Sequence, residues 1–103
     1  MRWLLALAFL LPLAAAAQAP SPDVQRGVQF ARLHCANCHS IDKVSPSPLP
    51  AAPPFRTLHK RYPVETLEEA LGEGIVTGHP SMPQFQLAPD RINDFIAFLK
   101  SLE

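Results

Sequence analysis

The sequence predicts an all-α domain, and three of its features favour this class. Apolar residues recur at helical spacing in three separate segments. Residues 41–54 contain five prolines, a composition that suits neither a helix interior nor a central strand. No stretch alternates polar and apolar residues in the manner of a strand. The prediction is therefore three main helices joined by loops.

The first helix is predicted from about Pro22 to Cys38. Ser21 can cap it, and Pro22 and Asp23 suit its first turn. Gly27 lies in its interior, where glycine costs about 1 kcal/mol relative to alanine. We therefore expect a packing reason for Gly27, namely a second helix that crosses closely at this point.

The proline-rich residues 41–54 follow the first helix. We expect a stiff, extended loop that packs against the domain, because Phe55 and Leu58 come directly behind it. A disordered linker is the alternative.

The other two helices are marked by their terminal residues. Pro63 suits the first turn of the second helix, and Gly72, Gly74 and Gly78 let the chain leave it. Pro89 opens the last helix. The apolar face of that helix comprises Ile92, Phe95, Ile96, Leu99 and Leu102.

Residues 35–39, Cys-Ala-Asn-Cys-His, carry the most specific chemical signal, the attachment signature of c-type haem. Cys35 and Cys38 can each form a thioether to a haem vinyl group, and His39 then becomes an axial iron ligand. Zinc would need a second pair of ligands, but the chain has 2 cysteines. A thioredoxin-like dithiol would need a βαβ context. The sequence therefore predicts one covalently attached haem c.

Met82 is predicted to be the second axial ligand. It lies between Pro80 and Pro83, and its thioether sulfur is a soft ligand that suits haem iron. A lone methionine more often fills a core, but a loop rich in glycine and proline is a poor place for that role.

Three other histidines compete with Met82 for this position. His79 is the main rival, and its ligation would give a bis-histidine haem of lower potential. His34 is expected to point away from His39. His59 is expected to belong to an exposed basic segment.

Residues 1–17 are predicted to be a cleaved secretory signal peptide. Arg2, an apolar run and the alanines at 14–17 follow the required order. We place the cleavage after Ala17, which leaves residues 18–103 as one domain; cleavage after Ala19 is the alternative but would leave Pro20 behind the bond. The apolar run falls short of the about 20 residues that span a bilayer. The expected location is the periplasm, where c-type haem is attached.

The charge balance excludes one class of partner. The chain carries 9 Lys and Arg and 9 Asp and Glu, so it offers no basic excess for nucleic acid. A domain of this size has a thin apolar core, which a covalently held haem can reinforce. The apoprotein is therefore expected to be largely unfolded.

The order of these motifs resembles the class I cytochromes c, specifically the small periplasmic cytochromes c of bacteria. The similarity covers residues 18–103. Its most specific elements are Gly27 and Ala31 with the motif at 35–39, Ala-Pro-Pro-Phe at 52–55, Gly-His-Pro-Ser-Met-Pro-Gln-Phe at 78–85, and Phe-Leu-Lys-Ser-Leu at 98–102. The resemblance implies a cytochrome c fold, with three main helices and loops wrapped around one covalently bound haem.

The resemblance also implies roles for single residues. Gly27 would lie where the first and last helices cross, against Phe95 and Phe98. The backbone carbonyl of Pro53 would accept the ring N–H of His39, which fixes the orientation of that ligand. The haem pocket would be lined by Pro53, Phe55 and Phe85.

One partner known from mitochondrial cytochromes c is missing. There a tryptophan reaches a haem propionate, but the only tryptophan of this chain is Trp3, in the leader. Arg56, Arg61 and Tyr62 are the alternatives.

The function implied is a periplasmic electron carrier and not an enzyme. The haem iron would cycle between Fe(III) and Fe(II), exchanging electrons with redox partner proteins. The expected state is a monomer or a subunit of a redox complex, without stable membrane insertion. The alternatives are a cytochrome subunit of a periplasmic dehydrogenase and an open-site haem protein that binds a small ligand. A basic docking ring, or ordinary solvated charge, is formed by Arg32, Lys43, Arg56, Lys60 and Arg61.

Overall fold

The computed structural model describes residue 3, residues 5–12 and residues 19–103. Residues 3 and 5–12, which belong to the predicted leader, form no regular element and are exposed. The predicted cleavage site after Ala17 lies outside the described residues. Within the described ranges, no helix combines the length and the apolar character that a bilayer crossing requires.

The regular structure of the described residues is entirely helical, as predicted. Helix α1 spans Pro22–His34, α2 spans Leu67–Glu73 and α3 spans Pro89–Ser101. Two short 3-10 segments, Phe55–Lys60 and Val64–Thr66, lie between α1 and α2. The second of them leads directly into α2, so the predicted second helix begins with a tighter turn.

Helices α1 and α3 cross at Gly27. A Cβ at this position would lie 2.3 Å from the backbone oxygen of Asp94 and 2.5 Å from the Cβ of Phe98. The close crossing predicted from Gly27 is therefore confirmed. Phe98 belongs to the face of α3 that the resemblance implies here, and Phe95 of the same face packs its ring against that of Phe30, with 5.7 Å between the ring centroids.

An ion pair reinforces the same crossing. Nε and Nη2 of Arg26 donate to the two carboxylate oxygens of Asp94 at 3.0 Å and 3.1 Å. The carboxylate is nearly buried, with 9% of the Asp94 side chain exposed. Pairing with a guanidinium offsets the cost of that burial.

Helix α1 begins at Pro22, as predicted, but its C-terminus and its cap differ from the prediction. The helix ends at His34, four residues before Cys38, because the amides of Cys35 and Ala36 both donate to the carbonyl of Ala31 and interrupt the regular ladder. At the other end Ser21 occupies the cap position, but its hydroxyl donates to the carboxylate of Asp23 and caps no backbone N–H.

Residues 41–54 form an irregular loop that is packed, as predicted. Backbone hydrogen bonds fasten the loop to the residues on either side of His39. The amide of Leu49 donates to the carbonyl of Cys38 at 3.1 Å, and the amide of Phe55 donates to the carbonyl of Ser40 at 2.9 Å.

The side chain of Arg56 donates hydrogen bonds to the first half of this loop. Its Nη1 lies 2.7 Å from the carbonyl oxygen of Ser45, 3.1 Å from Oγ of Ser40 and 3.3 Å from the carbonyl oxygen of Asp42. Ser40 is buried, and its amide donates to the hydroxyl oxygen of Ser47 at 3.0 Å. The loop therefore closes around Ser40, the residue next to His39.

One apolar core joins these elements. The predicted apolar face of α3 supplies much of it, although Ile92 and Leu102 are only half-buried. Leu99 and Val64 are its largest fully buried side chains, each with 1% exposed. The core comprises Ala31, Phe55, Leu58, Val64, Leu71, Phe95, Ile96, Phe98 and Leu99.

Candidate haem site

A cavity of about 300 Å³ opens beside the core. The turn after α1, the end of the proline loop, α2 and the segment before α3 form its boundary. All seven residues predicted for the site line it: Cys35, Cys38, His39, Pro53, Phe55, Met82 and Phe85. The fold therefore brings together residues that are widely separated in the sequence.

Cys35 and Cys38 lie on this cavity as free, half-buried thiols. The amides of Cys38 and His39 both donate to the carbonyl of Cys35, at 3.2 Å and 2.9 Å, so a single turn presents the two thiols and the imidazole together. Burial raises the pKa of the Cys35 thiol to about 11, and the nearby Cys38 adds to this effect. The thiol therefore keeps its proton at neutral pH, as expected on an apolar wall.

The ring of His39 is held by two contacts. Nδ1 lies 2.8 Å from the carbonyl oxygen of Pro53, which is the contact that the resemblance implies. Because a carbonyl can only accept, the ring proton is on Nδ1, and Nε2 keeps its lone pair for a metal. The ring of Phe55 lies against the imidazole, with 4.7 Å between centroids.

Met82 and His79 both line the cavity. Met82 is half-buried, whereas His79 is exposed. The two residues share one loop, in which the amide of Met82 donates to the carbonyl of His79 at 3.1 Å. The amide of Ile75 closes the base of this loop by donating to the carbonyl of Phe85 at 2.9 Å.

His34 is exposed, as a surface residue should be, but it does not point away from the site. It lines the same cavity. As the last residue of α1, its side chain leans back over the preceding turn and meets Phe30, with 4.8 Å between ring centroids. The ring of Phe85 lies 6.2 Å from that of His34 and 6.3 Å from that of Phe30, so the three rings form one cluster.

The structure narrows the choice of a propionate partner. Arg61 and Tyr62 line the cavity, whereas Arg56 is engaged by the proline loop. Burial raises the pKa of the Tyr62 phenol, so this hydroxyl remains a donor at neutral pH. Five basic residues are candidates for a docking ring, and all of them lie in the part of the chain that the structure describes. Of these five, only Arg61 lines the cavity.

Several cavity residues are not predicted from the sequence. Helical spacing marks Leu67 and Leu71 as buried, but it does not tell whether protein or a bound group covers them. The cavity shows that part of the apolar surface is reserved for a bound group. The residues concerned are Phe30, Leu49, Leu58, Leu67, Leu71 and Ile75.

The cavity fits a covalently held haem. A flat and mostly apolar macrocycle needs an apolar slot, two thiols on one wall and an imidazole with a free Nε2, and the described residues supply all of these. The sulfur of Met82 is a second soft ligand on the same cavity.

Comparison with known proteins agrees with this fit. The family model for cytochrome c matches residues 24–103. No curated protein and no solved structure matches the chain significantly. The family match begins in α1 and runs to the last residue, so it includes the thiols, the imidazole and the whole cavity. A match over that much of the chain shows that this protein belongs to the cytochrome c family, whose members carry covalently attached haem c.

Proposed function

We propose that this cytochrome c carries single electrons between redox partner proteins in the periplasm, with His39 and Met82 as the axial ligands of its haem. Members of the family transfer electrons through their haem and are typically carriers. The observation that supports the proposal most directly is the bond from Nδ1 of His39 to the Pro53 carbonyl, because it leaves Nε2 free to bind iron on the cavity that Met82 also lines.

Each residue of the site has a separate task. Cys35 and Cys38 hold the haem through thioethers, and Pro53 orients the imidazole of His39. When bound, the haem supplies a one-electron Fe(III)/Fe(II) couple. Ligation by both His39 and Met82 would leave no iron position open to oxygen or peroxide, which favours a carrier over a catalyst.

The choice of Met82 over His79 is supported by burial. Met82 is half-buried on the cavity, whereas His79 is exposed. A thioether ligand also raises the reduction potential relative to a second imidazole.

The periplasmic location is supported by the leader-like residues 1–17, with the basic, apolar and small-residue regions in the order of a secretory signal. Brief docking around the mouth of the cavity would allow fast exchange with donor and acceptor proteins.

The ligand pair is tested by the absorption spectrum of the ferric holoprotein. We expect a low-spin spectrum with the far-red sulfur-to-iron charge-transfer band, and loss of that band in Met82→Ala but not in the neighbouring control Ser81→Ala. A high-spin wild-type spectrum would overturn the carrier proposal. The location is tested by fractionating cells and sequencing the mature N-terminus, which we expect to begin at Gln18; retention of holoprotein in the cytoplasm would contradict it.

A further inference from the structure

We infer that His79 is a reserve ligand, which binds the iron when Met82 is not bound to it. The inference rests on the proposed His39/Met82 ligation and adds a second state of the same site. In that state the iron stays low-spin and closed to small molecules, but at a lower reduction potential.

Both side chains are carried by one loop, residues 76–84, and both line the cavity. The bond between Ile75 and Phe85 closes the loop at its base. Among the described residues, the hydrogen bonds made by 76–84 stay inside the loop: Met82 to the His79 carbonyl, and the His79 amide to Oγ1 of Thr77 at 3.4 Å. The loop can therefore reorient without breaking a bond to the helices.

Gly78 supplies the freedom that such a reorientation needs. It has a φ of +76°, in the left-handed region, and nothing lies within 4 Å of the place a Cβ would take. Gly78 directly precedes His79, so a rotation at this glycine, which is free of the restrictions that a Cβ imposes, changes the direction of the imidazole.

The imidazole is also the strongest unassigned iron ligand available to this loop. The residues between Gly78 and Pro83 offer only one other ligand of comparable strength, the sulfur of Met82. His34 reaches the cavity too, but from the end of a helix, where its ring belongs to a cluster with Phe30 and Phe85. His79 is therefore the imidazole free to move.

Replacing Met82 with alanine tests the inference, read from the ferric spectrum and the electron paramagnetic resonance of purified holoprotein near neutral pH. We expect the far-red band to be lost while the iron remains low-spin, with the potential lowered. In Met82→Ala/His79→Ala we expect high-spin iron. The matched control Met82→Ala/His34→Ala should stay low-spin. Met82→Leu, which keeps an apolar side chain, replaces the alanine variant if that variant does not accumulate.

High-spin iron in Met82→Ala would overturn the reserve ligand while leaving Met82 as the normal one. Low-spin iron that persists in Met82→Ala/His79→Ala, and disappears when His34 is removed, would assign the role to His34 and equally overturn the inference. Absence of the far-red band from the wild type would instead overturn the proposed His39/Met82 pair.

Discussion

Arg26 and Asp94, 68 residues apart in the sequence, form a two-pronged ion pair across the crossing of α1 and α3. The next residue of α1, Gly27, meets the same Asp94 through its backbone oxygen. One residue of α3 thus receives a charged side chain from Arg26 and close backbone contact from Gly27. The crossing depends on both.

Gly27→Ala should destabilise the holoprotein by about 2 kcal/mol. Pushing the helices apart costs about 3 kcal/mol, and better helix propensity returns about 1 kcal/mol. Denaturant unfolding followed by circular dichroism measures the change. Gly72→Ala is the control, because its added methyl would lie 3.7 Å from Ile92, an ordinary contact; it should not destabilise. Equal stability of the two variants would contradict the close crossing.

Arg26→Ala should destabilise the protein more than Arg32→Ala, a change of an exposed arginine on the same helix. Removing Arg26 leaves the nearly buried carboxylate of Asp94 without its partner. Adding Asp94→Asn to Arg26→Ala should recover part of the loss, because the uncompensated charge is gone. A double-mutant cycle measures the coupling, and a coupling of zero would show that the pair contributes nothing.

Arg56→Ala should loosen the proline loop and cost about 2 kcal/mol, since the partly buried acceptors at Ser40 and Ser45 lose a charged donor. Amide hydrogen exchange should rise at Leu49 and Phe55, whose bonds fasten the loop. Arg56→Lys should recover little, because one ammonium does not reproduce the planar guanidinium. Unchanged exchange at both amides would refute this role for Arg56.

Acid should weaken the loop through Asp42. The carboxyl of Asp42 accepts hydrogen bonds from the Ser45 hydroxyl, which has the largest effect, and from the amides of Ser45 and Val44. Together they lower the pKa of Asp42 to about 2. The pKa of an aspartate in the unfolded chain is about 3.9. The ionised carboxylate therefore stabilises the fold above that pH, and this contribution is lost as the pH falls toward about 2. The free energy of unfolding should therefore fall less steeply in Asp42→Asn than in the wild type between about pH 5 and about pH 2. Parallel curves would contradict the prediction.

The double variant Cys35→Ser/Cys38→Ser, purified without haem, should be largely unfolded. The cavity lies beside a small core, and without a bound group its apolar lining loses the surface that it is shaped to contact. Far-ultraviolet circular dichroism and hydrogen exchange report this directly. A cooperative unfolding transition with native helix content in the haem-free variant would show that the chain folds alone.

Local patterns predicted much of this fold. The prolines at 22 and 89 mark the starts of α1 and α3. Gly27 indicates that a second helix crosses α1, because a glycine within a helix needs a packing reason, and the family resemblance identifies that helix as the last one. The motif at 35–39 indicates haem by its spacing alone. These features can be predicted because the pattern that indicates each of them lies within a short stretch of sequence.

Contacts between distant residues could not be read in this way. Asp94 looks like an ordinary polar residue of α3 until the crossing places Arg26 beside it. His34 reaches the cavity because α1 ends there, and that end depends on hydrogen bonds to a single carbonyl, that of Ala31. Arg56 turns inward because the loop offers it carbonyl oxygens, which no periodicity reveals.

The ring of Phe55 lies between two others, the imidazole of His39 at 4.7 Å and the ring of Phe95 at 5.7 Å. Phe95 in turn contacts Phe98, at the helix crossing, with 6.5 Å between centroids. A continuous row of rings thus joins the His39 side of the cavity to the contact between α1 and α3. Because the imidazole of His39 rests on the first ring of this row, we expect a substitution that repacks the row to change thermal stability and reduction potential together.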